Sequence, residues 1–563
     1  MRIVFPLALA VLTAACATPR EASAPAAPVN VGILAFNDFH GNLEEPVQPL
    51  TLPDASGGTR QVKAGSAARL ASAIAGLRGK YAHSATVSAG DLISASPLVS
   101  SLFLDEPTIA VMNRVGLDFN AVGNHEFDRG RAELLRMQNG GCEQHTLRRP
   151  CTLEPFAGAR FGFLSASTFA EDGRTLLPAT GMRRFGTGKA TVTVGFVGLT
   201  LRDTPTLVPP AGVEGLRFGD EAEAINAAAL KLRTEGADAV VALIHEGGTP
   251  ASGSDPNGCE GLAGPILSIL EKLDPGVDVV VSGHTHHAYI CDRIAETSSA
   301  PLLLTSAGSF GRMITEIGLV IDPVAKRVIA RTAKNHIVDA ASYAPDPAIA
   351  AYVARYAEAV RPTAARPIGK LSGPARRSED GMGGTLGNLV ADAQLAATRR
   401  AGAQIAFTNP FGLRAPIEPA PDGTVTFAQI YAAQPFDNIL ITRSLTGAQL
   451  KALLEQGLDV EGPFQTLAPS AGFAYSYDLE RAPGDRIAAM RLDGVPIRAD
   501  GTYRVTVGSF LAGGGDGFSV FRQGTERTIS GGDLDALEAW IAGASPRTVA
   551  VEERVARVSA PVR

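Results

Sequence analysis

The stretch VGILAFNDFH, residues 31–40, decides the fold. An apolar run of strand length, 31–36, gives way at once to Asn37, Asp38 and His40. A run with no polar alternation suits a strand covered on both faces, as in a parallel sheet flanked by other layers. Asp38 and His40 stand two residues apart, so both can turn into one cup at the strand's carboxyl end. In open α/β sheets that end is where ligands gather.

The same pattern recurs outward along the chain. The run 86–89 precedes Gly90-Asp91, the run 239–244 precedes His245-Glu246-Gly247-Gly248, and the run 277–281 precedes Gly283-His284-Thr285-His286. Gly123-Asn124-His125-Glu126 completes a set of five motifs. Between them lie Ala/Leu-rich helical segments, so residues 29–340 read as one α/β domain with a shared site.

The donors suit a pair of divalent cations. Two ions roughly 3.5–4 Å apart can clamp the attacking and leaving oxygens of an in-line phosphoryl displacement. Such a pair needs a bridging carboxylate, which Asp91 provides after its Gly90 turn. Asn124 offers an amide oxygen and His245 an imidazole, and His284 with His286 repeats the two-residue spacing of Asp38 and His40. Mixed nitrogen and oxygen ligation suits zinc, manganese or cobalt, and iron by the same chemistry.

In this order the motifs resemble those of the calcineurin-like metallophosphoesterase family. The resemblance implies a four-layer β-sandwich flanked by helices. It implies one metal on Asp38, His40, Asp91 and His286, and a second on Asp91, Asn124, His245 and His284. A water between the metals would be the nucleophile. His125 matches the family's catalytic histidine, which faces the developing charge or the leaving oxygen, and Asp128 matches its orienting partner. His286 is a departure, because many extracellular nucleotidases of the family carry an amide there. Glu126 and Glu246 read equally well as supporting acceptors or as loop charges. The remaining histidines, His83, His145, His287 and His336, read as ordinary residues, His287 pointing away from the pair before it.

The later part of the chain bears on the substrate. It carries Asn409-Pro410-Phe411-Gly412-Leu413-Arg414, then Pro435-Phe436-Asp437-Asn438, then Phe510 to Phe518 with its glycine run and Asp516. This set resembles the C-terminal domain of bacterial 5'-nucleotidases and UDP-sugar hydrolases, an α/β nucleotide-binding domain. Two rings can sandwich a nucleobase whatever its identity, and Phe436 and Phe510 match the family's stacking pair. Asp516 matches the acceptor for ribose hydroxyls, and Asn409 and Arg414 match polar and cationic contacts. Arg376, or its neighbour Arg377, matches a further arginine. Phe411 replaces the family's usual glycine.

Residues 346–360 place Ile349, Val353, Tyr356 and Val360 on one helical face between prolines, which reads as a connecting helix and hinge within 341–366. The second domain is expected over 367–525, with a C-terminal extension over 526–563 carrying a helix at 533–542. At the other end, Arg2 and the apolar residues 3–15 read as an export signal covering 1–17, too short to span a bilayer. Thr13-Ala14-Ala15-Cys16 resembles a bacterial lipobox, with lipidation of Cys16 slightly favoured over ordinary cleavage at Ala15-Cys16-Ala17; residues 18–28 form an Ala/Pro tether. Export to the periplasm or outer envelope favours disulfides, and the expected pairs are Cys142 with Cys151 and Cys259 with Cys291.

With 563 residues, 45% apolar, 19% charged and a net charge of −6, the chain has ample core and no basic footprint for a nucleic-acid polymer. The expected partner is a small nucleotide, with the membrane touched only through Cys16. The leading expectation is a metal-dependent 5'-nucleotidase that also splits UDP-sugars. The alternatives are a cyclic-nucleotide phosphodiesterase/3'-nucleotidase, a sulfur-compound hydrolase on the same scaffold, and a non-catalytic nucleotide-binding surface protein.

Overall fold

The computed structural model describes residues 26–46, 49–54, 58–146, 148–251, 255–292, 302–380, 382–458 and 464–558. The export signal, Cys16 and most of the tether lie outside these residues. No helix among them is long and apolar enough to cross a membrane.

Two six-stranded sheets face each other in the first domain. From edge to edge the first runs Arg327–Ile337, Met313–Asp322, Val29–Phe36, His83–Ser88, Phe119–Ala121 and Gly162–Leu164. The second runs Ala288–Asp292, Leu303–Ala307, Val279–Ser282, Ala239–His245, Val192–Thr200 and Thr180–Phe185. The motif-bearing strands are parallel neighbours within each sheet: Val31 pairs with His83, Val87 with Phe119, and Val241 with Val279.

Strand alternation builds the layers. Val31, Ile33 and Ala35 point between the sheets, where they meet Val87, Phe196, Val241, Leu243 and Val281. Leu34 and Phe36 point the other way, into a core with Leu70 and Ile74 of the helix Ala67–Arg78. On the far sheet Val240 and Ile244 pack against Ile225 of the helix Glu221–Thr234. The order helix, sheet, sheet, helix is the expected four-layer arrangement. Two covalent ties support its loops, Cys142–Cys151 and Cys259–Cys291, with Cα atoms 5.6 and 5.0 Å apart. These are the expected pairs.

The connecting helix spans Pro347–Ala364. Its start is fixed by Asp346, whose Oδ1 accepts from the N–H groups of Ala348 and Ile349 at 2.9 Å. Ile349, Val353, Tyr356 and Val360 are all buried, as the spacing predicts, and Tyr352 joins them. Each such burial contributes about 1.5–3 kcal/mol. The Tyr352 and Tyr356 hydroxyls donate to Glu154 of the first domain at 2.6 and 3.2 Å.

The second domain centres on a sheet ordered Ala468–Pro469, Ile405–Thr408, Thr502–Gly508, Ile439–Thr446 and Thr525–Gly532. The segment that reads as an extension is therefore built into this domain. Thr525–Gly532 is an edge strand, the helix Asp533–Ala542 buries Leu534, Leu537 and Ile541, and Val555–Arg557 pairs with Phe473–Tyr477. The edge strand gives no sequence signal because it is mostly exposed and lacks an apolar run.

Candidate metal centre

All five motifs arrive at one place because the parallel strands of both sheets end there. Asp38, Asp91 and Asn124 follow adjacent strands of the first sheet, while His245 ends a strand of the second and His284 and His286 follow its neighbour. The side chains form two groups, Asp38 with His40 and His286, and Asp91 with His245 and His284. Within each group one potential ligand atom per residue lies within 4.8 Å of the others.

Asp91 joins the groups. Its Oδ2 stands 3.0 Å from His245 Nε2 and 3.6 Å from His40 Nε2. Asn124 Oδ1 stands 3.1 Å from both His245 Nε2 and His284 Nδ1. His286 Nε2 lies 3.4 Å from Asp38 Oδ1 and 3.2 Å from His40 Nε2. The fold thus brings together all the candidate ligands named from the sequence.

The donor set fits divalent metals, and the ring tautomers are the test. His40 Nδ1 faces the Ser94 carbonyl and His245 Nδ1 faces the Ala89 carbonyl, each at 2.9 Å. Carbonyls only accept, so in the neutral rings Nδ1 carries the proton and the Nε2 lone pair turns to the centre. Asp38 and Asp91 are almost fully buried. Burial opposes charge on Asp91, but the imidazoles of His245, His125 and His40 outweigh it and hold the carboxylate well below its usual range. The same encounter pushes His245 up to about 10 against its own burial. The centre gathers buried negative charge that favours cations.

The backbone is bent to make this possible. Asp38, His40, Asp91, His284 and His286 all have positive φ, between 46° and 72°. Such strain in non-glycine residues persists where surrounding structure dictates it, and it clusters at functional sites. Two glycines provide the clearance. A Cβ on Gly90 would lie 2.5 Å from His245 Nδ1, and one on Gly123 would overlap Asp91 Oδ1 and its amide nitrogen.

Several residues support the ligands: for Glu126 the supporting-acceptor alternative read from the sequence holds, while Asn37, Asp105, Arg129 and Phe310 have no role assigned from sequence. Glu126, 2% exposed, accepts from the N–H groups of Asp91, Leu92 and Gly123 at 3.0, 2.8 and 2.6 Å, tying two ligand loops together. Its place in the motif Gly123-Asn124-His125-Glu126 is the available signal. Asn37 donates to Asp38 Oδ2 at 2.7 Å and to the Gly308 carbonyl at 2.6 Å. Asp105 accepts from Ser94 N–H at 3.1 Å and from Arg129 at 2.5 Å, steadying the residue whose carbonyl orients His40. Phe310 sets its ring edge-on to His286 at 5.3 Å. Glu246 accepts from its local Gly247 N–H at 2.9 Å, and burial pushes its carboxyl up to about 7. His287 is exposed.

His125 stands beside the ligands. Its Nδ1 lies 2.7 Å from Asp128 Oδ2, leaving Nε2 for chemistry, and its backbone N–H donates to Asp91 Oδ1 at 2.9 Å. Burial pulls the imidazole down, but Asp128 and Asp91 outweigh it and leave it above its ordinary value. The Phe436 ring of the second domain stacks on this imidazole, and the Arg414 guanidinium lies 5.9 Å from the Phe436 centroid. Burial lowers Arg414 against the pull of Asp91, Asp128, Asp38 and Asp516, so this cation faces both the metal ligands and the second domain's acid.

The second domain's residues cluster nearby. Asn409 donates to Asp516 Oδ2 at 2.6 Å. Phe436, Phe510 and Asn409 line one cavity. Asn438 links the two ring-bearing segments, its Oδ1 accepting from Ser509 Oγ at 3.2 Å and from Phe510 N–H at 3.1 Å. Arg376 is exposed and paired with Glu418 at 2.5 Å, whereas its neighbour Arg377 is close enough for Arg414 to depress it after burial. Phe411 is 37% exposed.

Comparison with known proteins agrees with this division. A model of the calcineurin-like phosphoesterase family matches residues 32–288, and a model of the 5'-nucleotidase C-terminal domain matches residues 362–523. The chain is 30% identical over 499 residues to endonuclease YhcR of Bacillus subtilis (strain 168), covering 88% of this chain but only 38% of that longer protein. It is 28% identical over 555 residues to the snake venom 5'-nucleotidase of Gloydius brevicauda, covering 91% of this chain and 86% of that one. Among solved structures, a 5'-nucleotidase precursor from Thermus thermophilus shares the fold with a TM-score of 0.75 and 24% identity, covering 94% of this chain and all of that one.

Proposed function

The chain belongs to the family that joins a calcineurin-like phosphoesterase domain to a 5'-nucleotidase C-terminal domain, and from that premise we propose that it is an exported 5'-nucleotidase. One observation carries the reading: His125, beside the candidate metal ligands, is stacked on Phe436 of the domain that would hold the nucleoside. A phosphate at the ligand cluster and a base near Phe436 belong to a single molecule spanning both domains.

Two divalent ions, zinc, manganese or cobalt, would supply Lewis acidity and bring the pKa of a water to near 7. Asp38, His40, Asp91 and His286 would hold one, and Asp91, Asn124, His245 and His284 the other. His125, oriented by Asp128, is placed to donate a proton from Nε2 to the leaving 5'-oxygen. Arg414 balances charge on the phosphate, and Arg377 is the better-placed second arginine. Phe436 and Phe510 hold the base, while Asp516, steadied by Asn409, accepts from ribose hydroxyls.

Export rests on the N-terminal signal, with Cys16 the candidate for lipidation and the bacterial periplasm or outer envelope the destination. Intact-mass analysis of the mature N-terminus tests that part. The activity is tested by product analysis on AMP, 3'-AMP, cyclic 2',3'-AMP and UDP-glucose, using metal-stripped protein refilled with single metals. Release of phosphate and adenosine from AMP supports the proposal, and UDP-glucose cleavage would add the second substrate class. Turnover of 3'-AMP or the cyclic ester alone would replace it with the phosphodiesterase reading.

A further inference from the structure

Phe436 and Phe510 share a cavity of about 20 Å³ with Gln394, Gln434, Asn438 and Asp533. That volume admits one water-sized group. Its lining is rich in acceptors. Gln394 and Gln434 are 3% and 4% exposed, and Oε1 of each is buried with no hydrogen-bond donor among the described residues. Asn438 is already engaged by Ser509, Phe510 and the Asp533 carboxyl. Asp533 itself accepts from Leu534 N–H at 2.8 Å. Of the side chains that line the cavity, Gln394 and Gln434 are the two with a buried oxygen that meets no donor among the described residues.

A buried acceptor without a partner is costly, and a ligand that brings an N–H recovers the loss. Asn409, which holds the candidate ribose acceptor Asp516, lines the same cavity, so a base between the phenylalanines would have an edge close to it. An exocyclic amine is water-sized and carries one proton for each oxygen. A ring carbonyl at that position would set its lone pairs against theirs. We infer that, granted the nucleotidase reading above, the base site selects bases carrying an exocyclic amine and that Gln394 and Gln434 make the selection. Asp533 lies beyond residue 523, where the match to the domain model ends, so part of this lining is not contained in the family match.

The test uses the full metal-loaded chain and two substrate pairs that exchange the exocyclic amine for a carbonyl, the adjoining ring nitrogen gaining a proton, AMP with IMP and CMP with UMP. The amine member of each pair is expected to show kcat/KM roughly tenfold higher or more, the scale of one well-placed hydrogen bond. Gln434→Met and Gln394→Met are expected to bring both ratios toward one, by slowing AMP and CMP, which lose an acceptor, and by speeding IMP and UMP, which lose a repulsion. Equal rates within both pairs in the wild type, or a preference for IMP and UMP, would overturn the inference and leave the nucleotidase reading standing. Preserved ratios in both folded variants would overturn the role of the glutamines, and if neither variant folds the wild-type ratios decide. Failure to hydrolyse any of the four would overturn the nucleotidase reading and this inference with it.

Discussion

The Phe436 ring lies face to face with the His125 imidazole, their centroids 5.8 Å apart and their planes within 17°. One residue belongs to the metal-binding domain and the other to the second domain, so the stack joins the candidate acid to the candidate base clamp. Phe436→Ala removes a platform whose stacking on a base is worth about 1–3 kcal/mol. The expected outcome in steady-state kinetics on AMP is a KM raised about tenfold or more, with metal content unchanged.

His125→Ala is expected to keep both metals and lose about a hundred- to ten-thousand-fold in kcat, the usual range for a general acid or base. Metal analysis alongside turnover separates this from collapse of the centre. Unchanged turnover would reject the assigned role.

The pH profile carries a sign. Asp128 helps raise His125, and a group that acts as an acid works below its own pKa. Activity should therefore fall on the alkaline side as His125 deprotonates. Asp128→Asn should move that limb to lower pH, and a limb that stays in place would contradict the pairing.

Glu126→Gln replaces a carboxylate that accepts three backbone N–H bonds with an amide that turns an NH₂ toward at least one of them. Loss of such a supporting contact costs about 10–100-fold in metal affinity. Competition with a chelator measures it, and wild-type affinity would show that the ligand loops hold themselves.

Arg148 reaches across the domains to Asp437 at 2.5 Å, from a loop closed by Cys142–Cys151. The two side chains are 25% and 51% exposed, and such pairs are worth no more than about 1 kcal/mol. Arg148→Ala should raise KM by roughly fivefold at most. A larger effect would mean that this contact governs domain closure.

The candidate metal ligands are legible because each sits where an apolar run stops, and the run reports the strand while the stop reports its carboxyl end. Positive φ at Asp38, His40, Asp91, His284 and His286 leaves no mark in the sequence, since Asp and His tolerate that conformation without changing identity. Asp105 and Arg129 escape notice because their service to His40 passes through a carbonyl, which every residue has. Thr525–Gly532 escapes because an edge strand needs no buried run. The choice between Arg376 and Arg377 turns on which way a loop faces, and local sequence does not carry that.

The most direct test of the central claim is a metal titration of the stripped protein followed by phosphate release from AMP. Two equivalents of manganese or zinc per chain, with activity restored by the second and Asp91→Ala abolishing both binding and activity, is the predicted result. Full activity with one equivalent or none, or an Asp91→Ala protein that still binds two ions and turns over, would contradict the account.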